Sequence, residues 1–427
     1  MGKRVLLVDG GGRGTALAQK IYQSPHLERL FVAPGNAGTS EIANNIPIEA
    51  TDVEGLLEFA LRAKIDLTVV GQDESLALGI VDTFQAKKLR TFGPTKAAAE
   101  IEWSKVFSKR LMSRCGVLTA PYTVLHEPHS AFPWLQERFN SGGKAAVLKP
   151  DGLAFGKGAY ICKTYAKAEQ AIIKLMVNRI HGKAGEYVVA EDFVDGQEVS
   201  IHSFCDGHSF SLFPAAQDHK QIFDGDRGPM TGGMGAIAPV PWFDDQAFVS
   251  NEIVSPILTA LRVRGRPFSG CLFPGLKGRH VLEFNARFGD PETQVYMQLL
   301  KTDILEILEA CVDGRLHEIK IEWNPGFAAC IVLTSAGYPS PNYKKGVPIT
   351  GIEDAESLSD VVVFHAGTKY VDGQLVTSGG RVLGVTAVGQ TLQEAVDRAY
   401  MAVSFISFEG MHYRRDIGTK ALMTPTR

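Results

Sequence analysis

The run Glu283-Phe284-Asn285-Ala286-Arg287 sets three polar side chains of different chemistry at alternate positions. In a strand, alternate positions share a face, so a carboxylate, an amide oxygen and a guanidinium would point into one space. Neighbouring oxygens suit Mg2+, a hard cation that takes oxygen ligands and shares them with phosphate. An arginine beside them suits a carboxylate or phosphate held through two N–H donors. Leu282, Phe284 and Phe288 are apolar, which fits a site on a buried sheet.

Other segments supply the groups such a site would need. Lys149-Pro150-Asp151-Gly152-Leu153-Ala154-Phe155-Gly156-Lys157-Gly158 lacks the GxxxxGK[ST] order of a Walker loop and lies between two strand-like runs. It reads as a flap over a triphosphate: the glycines, Gly156 and Gly158 among them, permit close approach, and Lys149 and Lys157 bring charge. Glu191-Asp192-Phe193-Val194 leads out of a strand and can offer backbone groups to an adenine edge, with Glu198 placed to accept ribose hydroxyls. The stretch from Gln217-Asp218-His219-Lys220 to Thr231-Gly232-Gly233-Met234-Gly235 is long, Gly-rich and without apolar periodicity, as functional loops are.

Gly10-Gly11-Gly12-Arg13-Gly14 follows a strand and opens a helix, where backbone N–H groups at Gly11 and Gly12 could hold a phosphate. A GxGxxG fingerprint is missing, because the third glycine would fall at Thr15 or at Leu17. No acidic residue ends the second strand, so the loop reads as a single-phosphate site, or as a tight structural turn, and not as an NAD site. His126-Glu127-Pro128-His129 is not HExxH, no GxSxG elbow occurs, and His202 alternates with apolar neighbours as a packed strand histidine would.

The elements that must carry these groups follow from hydrophobic period. Strands at 5–8, 30–33 and 67–71 alternate with helices at 15–23, 53–63 and 76–87, which predicts a parallel sheet with its ligands at the carboxyl strand ends. One helix is expected over 95–115, carrying Lys105 and Lys109. The middle third reads as antiparallel strands separated by helices such as 166–179. From 326 onward strands dominate again, closed by a helix over 392–406. The expected organisation is an N-terminal Rossmann-like parallel α/β lobe over 1–103, an α+β core of two subdomains over 104–325 with a mobile lid at about 118–190, and a small strand-rich lobe over 326–427. The net charge of −3 gives no reason to expect nucleic acid or a membrane. Six cysteines without a CxxC pair suggest buried thiols in a reducing cytoplasm, and no apolar run reaches membrane-spanning length.

In order along the chain, Ala33-Pro34-Gly35-Asn36-Ala37-Gly38-Thr39, Lys149 through Gly158, Ala216-Gln217-Asp218-His219-Lys220 and Glu283 through Gln294 resemble the phosphoribosylamine–glycine ligase family of ATP-grasp enzymes. The match continues through Arg381-Val382-Leu383 to Arg415-Asp416-Ile417-Gly418. The resemblance implies a reaction in which ATP phosphorylates glycine to glycyl phosphate and the amine of 5-phosphoribosylamine displaces the phosphate. It implies that Lys105 and Lys149 meet the ATP phosphates, with Gly156, Lys157 and Gly158 of the flap above them. Glu191, Phe193 and Val194 would hold the adenine, Glu198 the ribose, and Glu283 and Asn285 a Mg2+ or Mn2+ ion. Arg287, Lys220 and Asp290 would be catalytic, and Gly11, Gly12, Arg13, Gly35, Asn36, Asp218, His219 and Arg287 would bind the other substrates. A monomer or weak homodimer in the cytoplasm is expected.

Departures from the family pattern cluster in the N-terminal lobe. The family's first loop usually reads GlyxGlyGlyArgGluHis, whereas this chain has Asp9-Gly10-Gly11-Gly12-Arg13-Gly14-Thr15. Its GlyProGlu is Gly71-Gln72-Asp73-Glu74, and Trp103 stands where glycine is usual. These changes keep open a ligase of the same mechanism with a different amine.

Overall fold

The computed structural model describes residues 2–142, 145–153 and 158–424. Gly156 and Lys157, expected in the flap, lie outside the described residues. Five parallel strands form the N-terminal sheet in the order Asn44–Asn45, Leu27–Pro34, Lys3–Asp9, Leu67–Val70, Thr91–Phe92. Val5 to Val8 pair with Leu30 to Ala33 on one side and with Leu67 to Val70 on the other. These runs are buried on both faces, which is why they read as unbroken apolar stretches. The sheet order reverses at Lys3–Asp9, so the glycine loop lies at the crevice where such sheets bind ligands.

The helix Val53–Ala63 has the expected bounds, with Asp52 capping it by accepting from the Gly55 N–H. Two expected helices are broken. The one over 76–87 is instead Asp73–Leu78 and Ile80–Ala86, divided at Gly79, whose φ of 89° no other residue adopts easily. The one over 95–115 is divided at Ser104 into Lys96–Trp103 and Lys105–Cys115. Ser104 caps the second helix, its hydroxyl accepting from the Phe107 N–H (3.1 Å), and Asp151 reinforces the cap from across the fold by accepting from the Ser104 hydroxyl (3.1 Å) and the Val106 N–H (3.0 Å).

A small antiparallel sheet has the order Tyr122–Leu125, Val188–Asp192, Ala146–Pro150, Tyr160–Cys162. Leu125, Leu148, Cys162 and Ala190 face the helices Pro128–Asn140 and Tyr165–Ile172 and bury a core with Ala131, Leu135 and Ala168. A second sheet joins Glu198–Ser200, Ser269–Lys277, Ser203–Asp206 and Phe210–Leu212, with His280–Asn285 also paired to Ser269–Lys277. His202 lies just past the first of these strands, fully buried, its ring stacked on Phe273 at 3.8 Å.

The third sheet departs from the expected boundary at 326. Its order is Gln217–Asp218, Gly235–Ala238, Phe327–Thr334, Arg381–Gly389, Val361–His365. Two of its strands thus come from the middle of the chain, and Gly235 to Ala238 pair with Ile331 to Ala328. The closing helix, Leu392–Val403, opens on a capping box formed by Thr391 and Glu394 and ends three residues before the expected 406. No helix is long and apolar enough to cross a membrane among the described residues.

Candidate functional site

The pleat of the small sheet sorts its side chains. Leu148, Cys162 and Ala190 go to the apolar core, so Val147, Lys149, Ile161 and Glu191 face the other way. On the second sheet, Phe273 stands opposite Asn285 and Gly275 opposite Glu283. These two faces border one cleft, lined by Lys149, Glu191, Glu198, Lys220, Glu283 and Asn285, among others. The chain crosses between the sheets at Phe193 and Val194, which also line it.

Within the cleft the charges alternate. Lys109 Nζ is 3.2 Å from Glu191 Oε2, and Lys149 Nζ is 3.3 Å from Glu191 Oε1 and 3.9 Å from Glu283 Oε2. Lys220 Nζ lies 3.7 Å from Glu283 Oε1 and forms a short ion pair with Glu198. Burial alone would raise the Glu283 carboxyl, but Lys220, Lys149 and Lys105 bring it down to about 2, so it is ionised at neutral pH. Burial pushes Lys109 down to about 8 against the pull of Glu191. Burial also lowers Lys105, whose ammonium donates to Gly152 O at 3.0 Å. Lys149 and Lys220, although buried, are raised by the carboxylates around them.

Glu283 and Asn285 present an ionised carboxylate and an amide oxygen from one strand face, two of the oxygen donors that a hard divalent cation takes. Arg287 is held beside them. Its Nε donates to Glu102 Oε1 (3.1 Å), its Nη1 to Phe288 O (3.0 Å) and its Nη2 to Asn285 Oδ1 (3.3 Å). Asp290 closes the cleft, held by Arg381 Nη2 at 2.9 Å and Gln294 Nε2 at 2.8 Å. Asp218 faces Glu292 across the same space. Burial first, and then Glu292, push its carboxyl well above the usual range, and its Oδ1 is buried with no hydrogen-bond partner among the described residues.

Of the residues singled out in the sequence, the cleft brings together Lys105, Lys149, Gly158, Glu191, Phe193, Val194, Glu198, Asp218, Lys220, Glu283, Asn285, Arg287 and Asp290. Other expected residues lie outside it. His219 Nδ1 meets Gly235 O at 3.2 Å and its Nε2 accepts from the Gly418 N–H at 3.3 Å, so both ring nitrogens tie the chain to itself. Asn36 Nδ2 donates to Gly10 O (3.2 Å) and His365 O (3.0 Å), pinning the glycine loop to the C-terminal lobe. Gly35 is turned at φ 72°, and a Cβ there would strike Asn45 at 2.4 Å. Arg13 Nε donates to Asp9 Oδ2 (2.7 Å) and its Nη1 to Phe288 O (3.0 Å). Gly11 and Gly12 reach toward Asp290, whose Oδ2 would lie 3.6 Å from a Cβ at Gly11.

Sequence reading missed Lys109, Glu102, Glu292 and Arg381. Lys109 was within reach of it, being one helical turn from Lys105 and so on the same face. The others act through partners far away in sequence.

Family models for phosphoribosylglycinamide synthetase match in three parts: the N domain over residues 3–102, the ATP-grasp (A) domain over 103–293 and the C domain over 328–420. A phosphoribosylamine–glycine ligase of Rhodopirellula baltica is 44% identical over 429 residues, covering 98% of each chain. The crystal structure of phosphoribosylamine–glycine ligase from Thermotoga maritima superposes with a TM-score of 0.82 at 32% identity, over 97% of this chain and all of that one. A biotin carboxylase domain from Hydrogenobacter thermophilus, solved with MgADP, shares the fold at a TM-score of 0.73 and 16% identity, over 96% of this chain and 91% of that one.

Proposed function

The chain belongs to the phosphoribosylglycinamide synthetase family, and on that premise we propose that it joins glycine to 5-phosphoribosylamine using ATP, releasing ADP, phosphate and glycinamide ribonucleotide. The observation that carries the reading is the alternating ladder Lys109–Glu191–Lys149–Glu283–Lys220–Glu198 inside one cleft. Its lysines match a triphosphate and its carboxylates match a cation and a ribose.

Adenine would lie along Glu191 to Val194, and the ribose hydroxyls on Glu198 once Lys220 turns to the phosphates. Lys105 and Lys149 hold the phosphate chain. Glu283 and Asn285 would hold Mg2+ or Mn2+, which supplies charge neutralisation between phosphate oxygens. A glycine carboxylate oxygen attacks the γ-phosphorus and the bond to ADP breaks, giving glycyl phosphate. The amine nitrogen then attacks the acyl carbon, the C–O bond to phosphate breaks, and the departing phosphate takes up the proton that the nitrogen loses. Arg287, fixed by Glu102, orients the carboxylate. Lys220 stabilises charge on the transferring phosphoryl group, where positioned cations act most strongly. Holding both reactants in place removes roughly 7–11 kcal/mol of barrier. On this reading the phosphate of the amine would lie at the glycine loop of the N-terminal lobe, near Gly11, Gly12 and Gly35.

The similarity extends through the N domain as well as the ATP-grasp domain, which weighs against a different amine. The test is coupled ADP release with phosphoribosylamine generated in place, and product mass by spectrometry. ADP formation must need both glycine and phosphoribosylamine; release indifferent to the second would end this reading.

A further inference from the structure

Asp9 ends the central strand of the parallel sheet and is only 1% exposed. Its Oδ1 accepts from the Gly11 N–H at 2.7 Å and its Oδ2 from Arg13 Nε at 2.7 Å. The glycine loop's backbone donor and its arginine therefore already serve an anion, and that anion is built into the chain. Space is cleared for it from two sides. A Cβ at Gly14 would fall 2.8 Å from Asp9 Oδ1, and one at Gly71 would fall 2.5 Å from Asp9 Oδ2. Asp290 faces the loop with a second carboxylate, itself paired with Arg381. An incoming phosphate thus meets two carboxylates and two guanidiniums, each arginine already matched.

We propose that Asp9 is a specificity-determining residue: a resident carboxylate that competes with the substrate's phosphate for the Gly11 N–H and Arg13, and so holds down this lobe's affinity for the phosphorylated amine. The inference rests on the proposed phosphate site at this loop. Asn at position 9 keeps the shape and one acceptor for Gly11 while removing the charge and freeing the guanidinium.

The experiment compares the unmodified protein with Asp9→Asn. It reads the KM for phosphoribosylamine, the inhibition constant of ribose 5-phosphate, the KM for ATP, kcat and the urea midpoint. Asp9→Asn should lower the first two together, roughly five- to tenfold, with the KM for ATP and kcat unchanged within about twofold. If either constant stays put or rises, Asp9 does not compete and the inference is overturned. A lowered urea midpoint without a KM shift makes Asp9 purely structural and also overturns it. Should Asp9→Asn fail to fold, Asp9→Gly reads the same constants. If ribose 5-phosphate does not compete with phosphoribosylamine in the unmodified protein, the loop is not the phosphate site and both readings fall. If it competes and Asp9→Asn changes nothing, only the inference falls.

Discussion

Arg381→Met should unsettle the cleft from behind. Arg381 begins the strand Arg381–Gly389 and reaches out of the C-terminal sheet. Its Nη1 donates to Gly232 O (2.7 Å) and Asp290 O (2.8 Å), and its Nη2 to Asp290 Oδ2 (2.9 Å). Hydrogen bonds involving a charged group contribute about 1.5–3 kcal/mol each, so three sum to about 4.5–9 kcal/mol before solvent is considered. The side chain is 23% exposed, so water can partly replace it, and about 3–4 kcal/mol is the expected loss. Asp290 is kept ionised by Arg381 and Arg13 against its burial, so its carboxyl should also titrate higher in the variant. Urea unfolding followed by circular dichroism measures the loss. Arg381→Lys, which keeps the charge but not the fork, should lose about half as much. Turnover should drop roughly a hundredfold as Asp290 and Gly232 shift relative to the phosphates. A variant within about 1 kcal/mol of the parent, with normal turnover, would refute the view that this arginine clamps the lobes together.

Glu283→Gln should leave the fold intact but lower the urea midpoint somewhat, since Lys149 and Lys220 lose a carboxylate partner, and should reduce metal-dependent ADP formation by roughly 10²–10³; near-normal turnover removes the cation assignment. Gly14→Ala should destabilise by about 1–3 kcal/mol because its methyl meets Asp9 at 2.8 Å, and the same change made in an Asp9→Gly background, which itself leaves Arg13 unmatched, should cost much less. An equal cost in both backgrounds would show that the clash lies elsewhere. Burial lowers three histidines: His219 and His365 to about 4 and His202 well below its usual range. Unfolded, each would titrate near 6.5, so the unfolded chain holds protons the folded chain lacks, and stability falls as pH drops from 6.5 towards 4. His365→Gln should reduce the proton uptake on unfolding at pH 5 by about one, read from the slope of unfolding free energy against pH; an unchanged slope contradicts a buried neutral ring.

The parallel sheet was legible because its strands are short apolar runs ended by glycine or proline, and such local signals survive without tertiary context. The shared face of the strand proposed to hold the cation was legible for a related reason: alternation alone puts Glu283 and Asn285 on one side. The broken helix at Ser104 was not: serine is a cap former, but Asp151, which completes the cap, lies 47 residues away. Gln217–Asp218 is too short to show any period, and Gly-Ala-Ile-Ala at 235–238 is buried on both faces, so neither announces a strand. Arg13, Asn36 and His219 have the chemistry of ligand-binding residues, but their partners decide their use, and those partners are Phe288, His365 and Gly418. Asp9, out of place in a phosphate loop on sequence grounds, is explained by Arg13 four positions on.

The two mid-chain strands in the C-terminal sheet have a consequence for anyone dividing the molecule. A fragment beginning at 326 would carry Phe327–Thr334 as a naked edge, its Ala328 to Ile331 backbone donors and acceptors open to any passing strand. The complementary fragment would lose the template that holds Gly235–Ala238, and with it the base of the hairpin bearing Lys220. During synthesis, Gly235–Ala238 can pair at once with Gln217–Asp218, but the ribosome must add roughly ninety more residues after 238 before its other neighbour, Phe327–Thr334, begins, so a late-closing contact of this separation slows folding and delays a competent nucleotide cleft. Neither half is expected to regain activity alone, whereas the two co-expressed could reassemble through that shared sheet.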